Sequence, residues 1–171
     1  KIIVGICTFI YAYYIFTFSA SYFNDDSLFL ANGILNFSII DFSPHFPGYA
    51  SIVILGQILN IFINDNKESL FILSSLCGIF LPFVIFLYVE KLKNETSAFI
   101  AFILTISSVY LLNITLSMLS ESVGLFFFFL SLYLLENKNI KTSGVFFSIA
   151  FFARPSYLVF YLLGLVYVYF F

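Results

Sequence analysis

Residues 69–89 decide the fold class: they read SLFILSSLCGIFLPFVIFLYV and contain no charged side chain. A helix needs about 20 predominantly apolar residues to cross the hydrocarbon core of a bilayer, and this segment meets that length. Glu68 precedes it and Glu90 follows it, so the charged residues begin where the apolar run ends. The sequence therefore predicts a transmembrane helix at this position.

Similar apolar segments recur along the chain. They lie at residues 2–23, 50–63, 97–119, 122–135, 143–153 and 156–171. Of all residues, 62% are hydrophobic and 9% are charged, whereas a soluble domain has about 45–50% and about 25%. A water-soluble fold of this size could not bury so much apolar surface. We therefore predict an all-α, polytopic transmembrane helix bundle in a lipid bilayer. Residues 1–171 are expected to form one transmembrane domain, the N-terminal part of a longer protein.

Charge and cysteine content exclude other classes of function. The net charge of -2 provides no basic surface, so a nucleic acid is not an expected partner. Cys7 and Cys77 both lie inside apolar segments, which is typical of small buried side chains rather than of a disulfide or a metal pair. The chain also has a single histidine, which argues against a zinc site.

The short segment 50–63 is ambiguous because it carries Gln57 and Asn60. Lysines accumulate in cytoplasmic loops, and their positions distinguish two topologies. If the segment crosses the membrane, four lysines face outward; if it lies along the outer interface, the same four face the cytoplasm with Lys1. The four are Lys91, Lys93, Lys138 and Lys141. We therefore predict a plasma-membrane or inner-membrane protein with a cytoplasmic N-terminus and a long outer loop, residues 24–68.

That outer loop is too apolar for an ordinary soluble loop, and it predicts helices lying on the membrane surface. A helix over residues 25–40 would place Asp25, Asn32 and Asn36 on one face. Two interpretations of Asp25 stay open. It is either a helix cap or first-turn acid, or a functional carboxylate on the water side of the membrane.

Three further polar residues are candidates for a site. Glu121 lies between two apolar segments, where a carboxylate is costly and points to function; alternatively it is an interfacial first-turn acid capped by Ser120. Arg154, just before Pro155, either extends to the interface or binds a phosphate. His45 lies in the turn of the outer loop, where a lone histidine is more often structural than catalytic.

Four short sequence features occur in a particular order along the chain. The acidic pair at 25–26 comes directly after the first span, and Pro-His-Phe-Pro-Gly-Tyr follows at 44–49. A Ser-Glu pair at 120–121 follows the third span, and Ala-Arg-Pro-Ser occupies 153–156. Together they resemble the N-terminal half of the C-type (GT-C) integral membrane glycosyltransferases, which include protein O-mannosyltransferases and lipid A aminoarabinose transferases. The resemblance covers nearly all of the chain.

This resemblance implies an enzyme that transfers a sugar from a polyprenyl-phosphate donor to an acceptor lipid, glycan or protein at the outer face of the membrane. It implies that Asp25, Asp26 and Glu121 are catalytic, with Asp25 as general base or acceptor-positioning residue. The expected substrate-binding residues are His45, Tyr49 and Arg154. The family often has Pro-Pro-Gly-Tyr-Pro where residues 46–50 are Phe-Pro-Gly-Tyr-Ala, and Glu where this chain has Asp26. Some relatives use a divalent metal and others do not, which leaves the cofactor open.

A membrane transporter and a non-catalytic membrane subunit are the alternatives. A transporter would have ionisable residues and broken helices near the bilayer midplane, together with internal repeat symmetry. In this chain the acids cluster toward the predicted outer side, and no repeat is visible. A non-catalytic subunit would have no need of paired outer acids.

Overall fold

The computed structural model describes residues 1–44, 46, 49–157, 159, 162 and 163. This part of the chain is helical and contains no strand, so the predicted all-α class is confirmed. The helices are α1 (Ile2–Ile15), α2 (Asp25–Leu35), α3 (Ala50–Ile63), α4 (Asn66–Leu92), α5 (Glu95–Ile106), α6 (Val109–Leu116), α7 (Ser120–Glu136) and α8 (Ile140–Ala153), followed by a 3-10 turn at Pro155–Tyr157. Most of the predicted last segment, 156–171, lies outside the described residues.

The long helix α4 forms the centre of the fold. Among the described residues, it is the one helix that is long and apolar enough by itself to cross a membrane. α5 and α6 meet the same criteria as a pair, but they are bent by 54° relative to each other. α1, α3 and α8 are shorter apolar helices. The polytopic transmembrane bundle therefore stays a prediction.

The helices α1 and α4 pack side by side in opposite directions. Val4 lies in one buried cluster with Phe86, and Ile15 lies in another with Ile79. At the N-terminus of α1, Lys1 Nζ lies 3.1 Å from a Glu90 carboxylate oxygen. The start of the chain and the turn between α4 and α5, which were predicted to face the same side, thus lie at one end of the bundle.

Buried hydroxyl groups join α4 to its neighbours. The Ser74 hydroxyl donates to the Thr115 carbonyl at 2.9 Å and lies 2.8 Å from the Ser122 hydroxyl. A β-carbon at Gly78 would collide with the Thr115 side chain, so the glycine allows α6 to approach α4 closely. Hydrogen bonds and small residues of this kind allow apolar helices to pack closely against one another.

Two helices end earlier than predicted. The first apolar segment extends to residue 23, but α1 ends at Ile15, because the Thr17 backbone and hydroxyl both bond to the Tyr14 carbonyl. The helix predicted over 25–40 ends at Leu35, and Asn36 adopts an extended conformation. Asn36 therefore does not share a helical face with Asp25, and that prediction is wrong. A tight turn replaces the rest of the predicted helix, closed by the paired backbones of Ser38 and Ser43.

The third predicted span is broken between α5 and α6. The Ser107 hydroxyl donates to the Ile103 carbonyl at 2.6 Å, and the Ser108 hydroxyl accepts from the Leu111 amide at 3.4 Å. Two consecutive serines thus satisfy backbone groups at the end of one helix and at the start of the next. Because hydroxyl groups replace part of the helical ladder here, the chain bends at a point that its apolar composition did not predict.

Candidate functional site

The central feature of the site is an ion pair between α7 and the end of α8. Arg154 Nη2 lies 2.9 Å from a Glu121 carboxylate oxygen, and Arg154 Nη1 donates to the Ser120 hydroxyl at 2.9 Å. The Ser120 hydroxyl in turn lies 3.3 Å from the other Glu121 oxygen, to which it donates. The Glu121 side chain is 14% exposed and that of Arg154 is 29% exposed. The pair is therefore largely shielded from solvent.

Local sequence explains why these groups meet. The residue before a proline is disfavoured in a helix, and α8 ends at Ala153, with Arg154 in a non-helical conformation before Pro155. Glu121 lies in the first turn of α7, where the helix dipole favours an acid. A β-carbon at Gly124 would lie 3.0 Å from the Arg154 β-carbon. The glycine thus permits the end of α8 to approach α7.

Tyr49, which precedes α3, lies within electrostatic reach of this pair. Burial raises the pKa of its hydroxyl; the Arg154 charge lowers the pKa, and the carboxylates of Asp26 and Glu121 raise it. Tyr49 therefore lies within electrostatic range of the Glu121–Arg154 pair and of Asp26. We call Asp26, Tyr49, Glu121 and Arg154 the acid–arginine cluster.

Two contacts position the helix that carries Asp26. The Asn66 side-chain amide, at the start of α4, donates to the Ala31 carbonyl of α2 at 2.8 Å. On the other side, a β-carbon at Gly33 would lie 2.6 Å from Pro44 Cδ, so only glycine allows the following turn to pack this closely. In addition, Leu30 and Ala31 of α2 lie in one buried apolar cluster with Met118. Helix α2 is thus fixed against the bundle beside the cluster.

The structure distinguishes the two adjacent acids. Asn24 is the N-cap of α2, and its side chain accepts from the Ser27 amide at 2.9 Å. Neither Asp25 nor Asp26 is the cap, although both are exposed acids in the first helical turn. The capping interpretation of Asp25 is therefore wrong, while the first-turn interpretation stands. Asp26 interacts with Tyr49, whereas no hydrogen bond or ion pair of the Asp25 side chain is found among the described residues.

Of the predicted site residues, Glu121 and Arg154 are in direct contact, and Tyr49 lies within electrostatic range of both and of Asp26. His45 lies outside the described residues, and Asp25 is beside the cluster in sequence but not part of its interactions.

Ser120 is the residue whose role the sequence did not predict. It was expected to cap α7, but the N-cap is Leu119, which makes no side-chain capping bond. The Ser120 hydroxyl instead bonds to Arg154, 34 residues away along the chain. No local pattern indicates a contact over that separation.

The described residues contain no group of three or more His, Cys, Asp or Glu side chains arranged to hold a metal ion. No family model, no curated protein and no solved structure matches this chain. The case for a function accordingly depends on the chemistry of the acid–arginine cluster and on the sequence features that resemble the C-type glycosyltransferases.

Proposed function

We propose that this chain belongs to a multi-pass membrane glycosyltransferase that transfers a sugar from a polyprenyl-phosphate donor to an acceptor at the outer face of the membrane. The observation that carries the proposal is the acid–arginine cluster. It combines two carboxylates with a shielded arginine at one end of an apolar helical bundle. Two of its members, Asp26 and Glu121, are among the residues that the resemblance makes catalytic, and Arg154 is one of the expected substrate-binding residues.

The cluster contains the groups that sugar transfer requires. A carboxylate of Asp26 or Glu121 is suited to accept the proton of the acceptor hydroxyl or amine as the bond to the sugar forms. The departing lipid phosphate carries negative charge, which a fixed cation stabilises in the transition state. Arginine has five N–H donors, and the contacts of Arg154 to Ser120 and Glu121 leave others for a phosphate oxygen.

An apolar hollow next to the cluster supports a lipid-linked donor. It has a volume of about 220 Å³ and lies at the start of α3, immediately after Tyr49. Its lining residues are Phe37, Ala50, Val53, Ile54 and Gln57. A hydrocarbon chain makes favourable van der Waals contacts with such a surface.

The proposed orientation follows the lysines. Lys1 and the turn between α4 and α5 lie at one end of the bundle, which we assign to the cytoplasm because lysines concentrate there. The acid–arginine cluster then faces the outer side, where a lipid-linked sugar that has been moved across the membrane presents its headgroup.

The test is sugar transfer by the full-length protein in liposomes, supplied with a panel of polyprenyl-phosphate sugars. We expect transfer from at least one donor, and strong loss of transfer with Glu121→Gln or Arg154→Ala. The exposed Glu136, at the other end of α7, provides the matched control, and Glu136→Gln should transfer normally. Absence of transfer from every donor, with a folded protein, would refute the proposal.

One observation favours a transporter as a second candidate. The break between α5 and α6 follows Ile106, which packs against a cluster containing Ile79 near the middle of α4. Broken helices at mid-depth are typical of transporters. Flux of a sugar or ion across liposomes without any transfer reaction would favour this candidate, whereas transfer without flux would exclude it.

A further inference from the structure

The hydroxyl of Ser120 connects both members of the ion pair. It accepts a hydrogen bond from Arg154 Nη1 at 2.9 Å, and it donates to Glu121 at 3.3 Å. Ser120 is 3% exposed, so water has little access to replace either bond. The guanidinium group is therefore held at two points, at Nη2 by the carboxylate and at Nη1 by the serine.

Neighbouring serines have other partners, which separates the role of Ser120 from that of a general helix contact. The Ser117 hydroxyl donates to the Asn113 side chain of its own helix at 2.9 Å. The Ser122 hydroxyl faces Ser74 of α4 at 2.8 Å. All three serines are buried. Of the three, only the Ser120 hydroxyl bonds to Arg154 among the described residues.

We propose that Ser120 is a positioning residue: it fixes the orientation of the Arg154 guanidinium, so that the remaining N–H groups of Arg154 are directed at an anion that has entered the cluster. This inference deepens the proposed function, because the anion would be the phosphate of the lipid-linked donor.

The physical reason is the planar geometry of arginine. A guanidinium group held at one nitrogen rotates about that contact, whereas a group held at two nitrogens has a fixed plane. Arginine recognises phosphate through paired, directional N–H bonds, which require that plane to be set before the anion arrives. The Ser120→Ala substitution removes the Nη1 contact and leaves the Glu121 contact in place. It adds no atom, so it causes no clash at this buried position.

The experiment measures binding of a polyprenyl monophosphate that carries no sugar to the full-length protein in lipid nanodiscs. Because Ser120 would act on the anion only through Arg154, we expect Ser120→Ala to weaken binding by roughly 3- to 10-fold, the effect of losing one ordinary hydrogen bond. The matched controls Ser117→Ala and Ser122→Ala remove neighbouring buried hydroxyls and should change the Kd by less than about 2-fold.

A double-mutant cycle separates positioning from a structural effect. If Ser120 acts through Arg154, Ser120→Ala should add less than about 2-fold to the loss caused by Arg154→Ala. The proposal would be overturned if Ser120→Ala weakened binding equally in the wild-type protein and in the Arg154→Ala variant. It would also be overturned if Ser120→Ala bound as tightly as the wild type while Arg154→Ala bound weakly.

The binding assay also keeps this inference distinct from the proposed function. Weaker phosphate binding by Ser120→Ala in a protein that transfers no sugar would support the positioning role and refute the transferase. Sugar transfer combined with unchanged polyprenyl monophosphate binding by Ser120→Ala would support the transferase and refute the positioning role. If the wild-type protein does not bind polyprenyl monophosphate, the positioning role is refuted, and the sugar-transfer assay then decides the transferase.

Discussion

The Glu121–Arg154 ion pair should contribute measurably to stability, and Glu121→Gln tests that contribution. Glutamine has nearly the same shape as glutamate and keeps an acceptor oxygen, so the substitution removes the charge and little else. Arg154 is then left without a carboxylate partner at a site where its side chain is 29% exposed. The expected result is destabilisation of the protein.

The burial of the two partners sets the magnitude. Two unit charges about 4 Å apart attract by about 4 kcal/mol at the effective dielectric constant of a protein surface, and part of this gain is offset by desolvation. Exposed pairs contribute about 0–1 kcal/mol, whereas loss of one partner of a fully buried pair costs about 3–5 kcal/mol. At 14% and 29% exposure, Glu121 and Arg154 lie between these cases. We therefore expect a loss of about 2 kcal/mol.

The assay is denaturant unfolding of the full-length protein in micelles, with Glu136→Gln as control. Glu136 is exposed at the opposite end of the same helix, and surface substitutions of this kind change stability by about 0.5 kcal/mol or less. A double-mutant cycle with Arg154→Gln should give a coupling free energy of about 2 kcal/mol. Equal stability of Glu121→Gln and Glu136→Gln, or zero coupling, would refute the reasoning.

Three further predictions concern catalysis, topology and packing. Asp26→Asn should lower kcat by about 10²–10⁴-fold at saturating donor if Asp26 is the general base, and Asp25→Asn should lower it less; a larger loss at Asp25 would contradict this order. A single cysteine placed at Asn94 should react with an impermeant thiol reagent added to the cytoplasmic side, and labelling from the outer side alone would overturn the topology. Gly124→Ala should be less stable than Gly144→Ala, because its methyl group overpacks the contact with the end of α8 at a cost of about 1–3 kcal/mol, against about 1 kcal/mol gained from the helix preference of alanine. Gly144→Ala should not destabilise the protein, since a β-carbon there meets nothing within 4 Å and alanine favours a helix; chemical unfolding of both variants distinguishes the two outcomes.

Several elements of this fold follow from local sequence. Apolar length locates α4, which contains the whole predicted segment 69–89, and α3 has the bounds predicted for residues 50–63. Helix α2 begins at Asp25 as expected, because the preceding asparagine is a good N-cap. These features depend on residues close together in the chain, so their physical causes can be read without knowing what lies opposite.

Helix ends and breaks were less predictable, for a physical reason. Threonine and serine are compatible with an apolar helix, yet their hydroxyls also bond to nearby carbonyls and end it. At Thr17 and at Ser107 the second outcome occurs. Composition does not decide between these outcomes, because the outcome depends on which backbone conformation allows the flanking apolar residues to pack.

The sequence by itself determined the all-α class and the chemical character of the candidate residues. Only the tertiary structure decided which of them meet. Glu121 and Arg154 form a pair because α7 and α8 pack as an antiparallel hairpin, with Gly124 permitting the close approach. Asp26, rather than Asp25, joins them through Tyr49, because successive helical residues point about 100° apart. Contacts between distant residues depend on the packing of whole helices, and no stretch of a single helix carries that information.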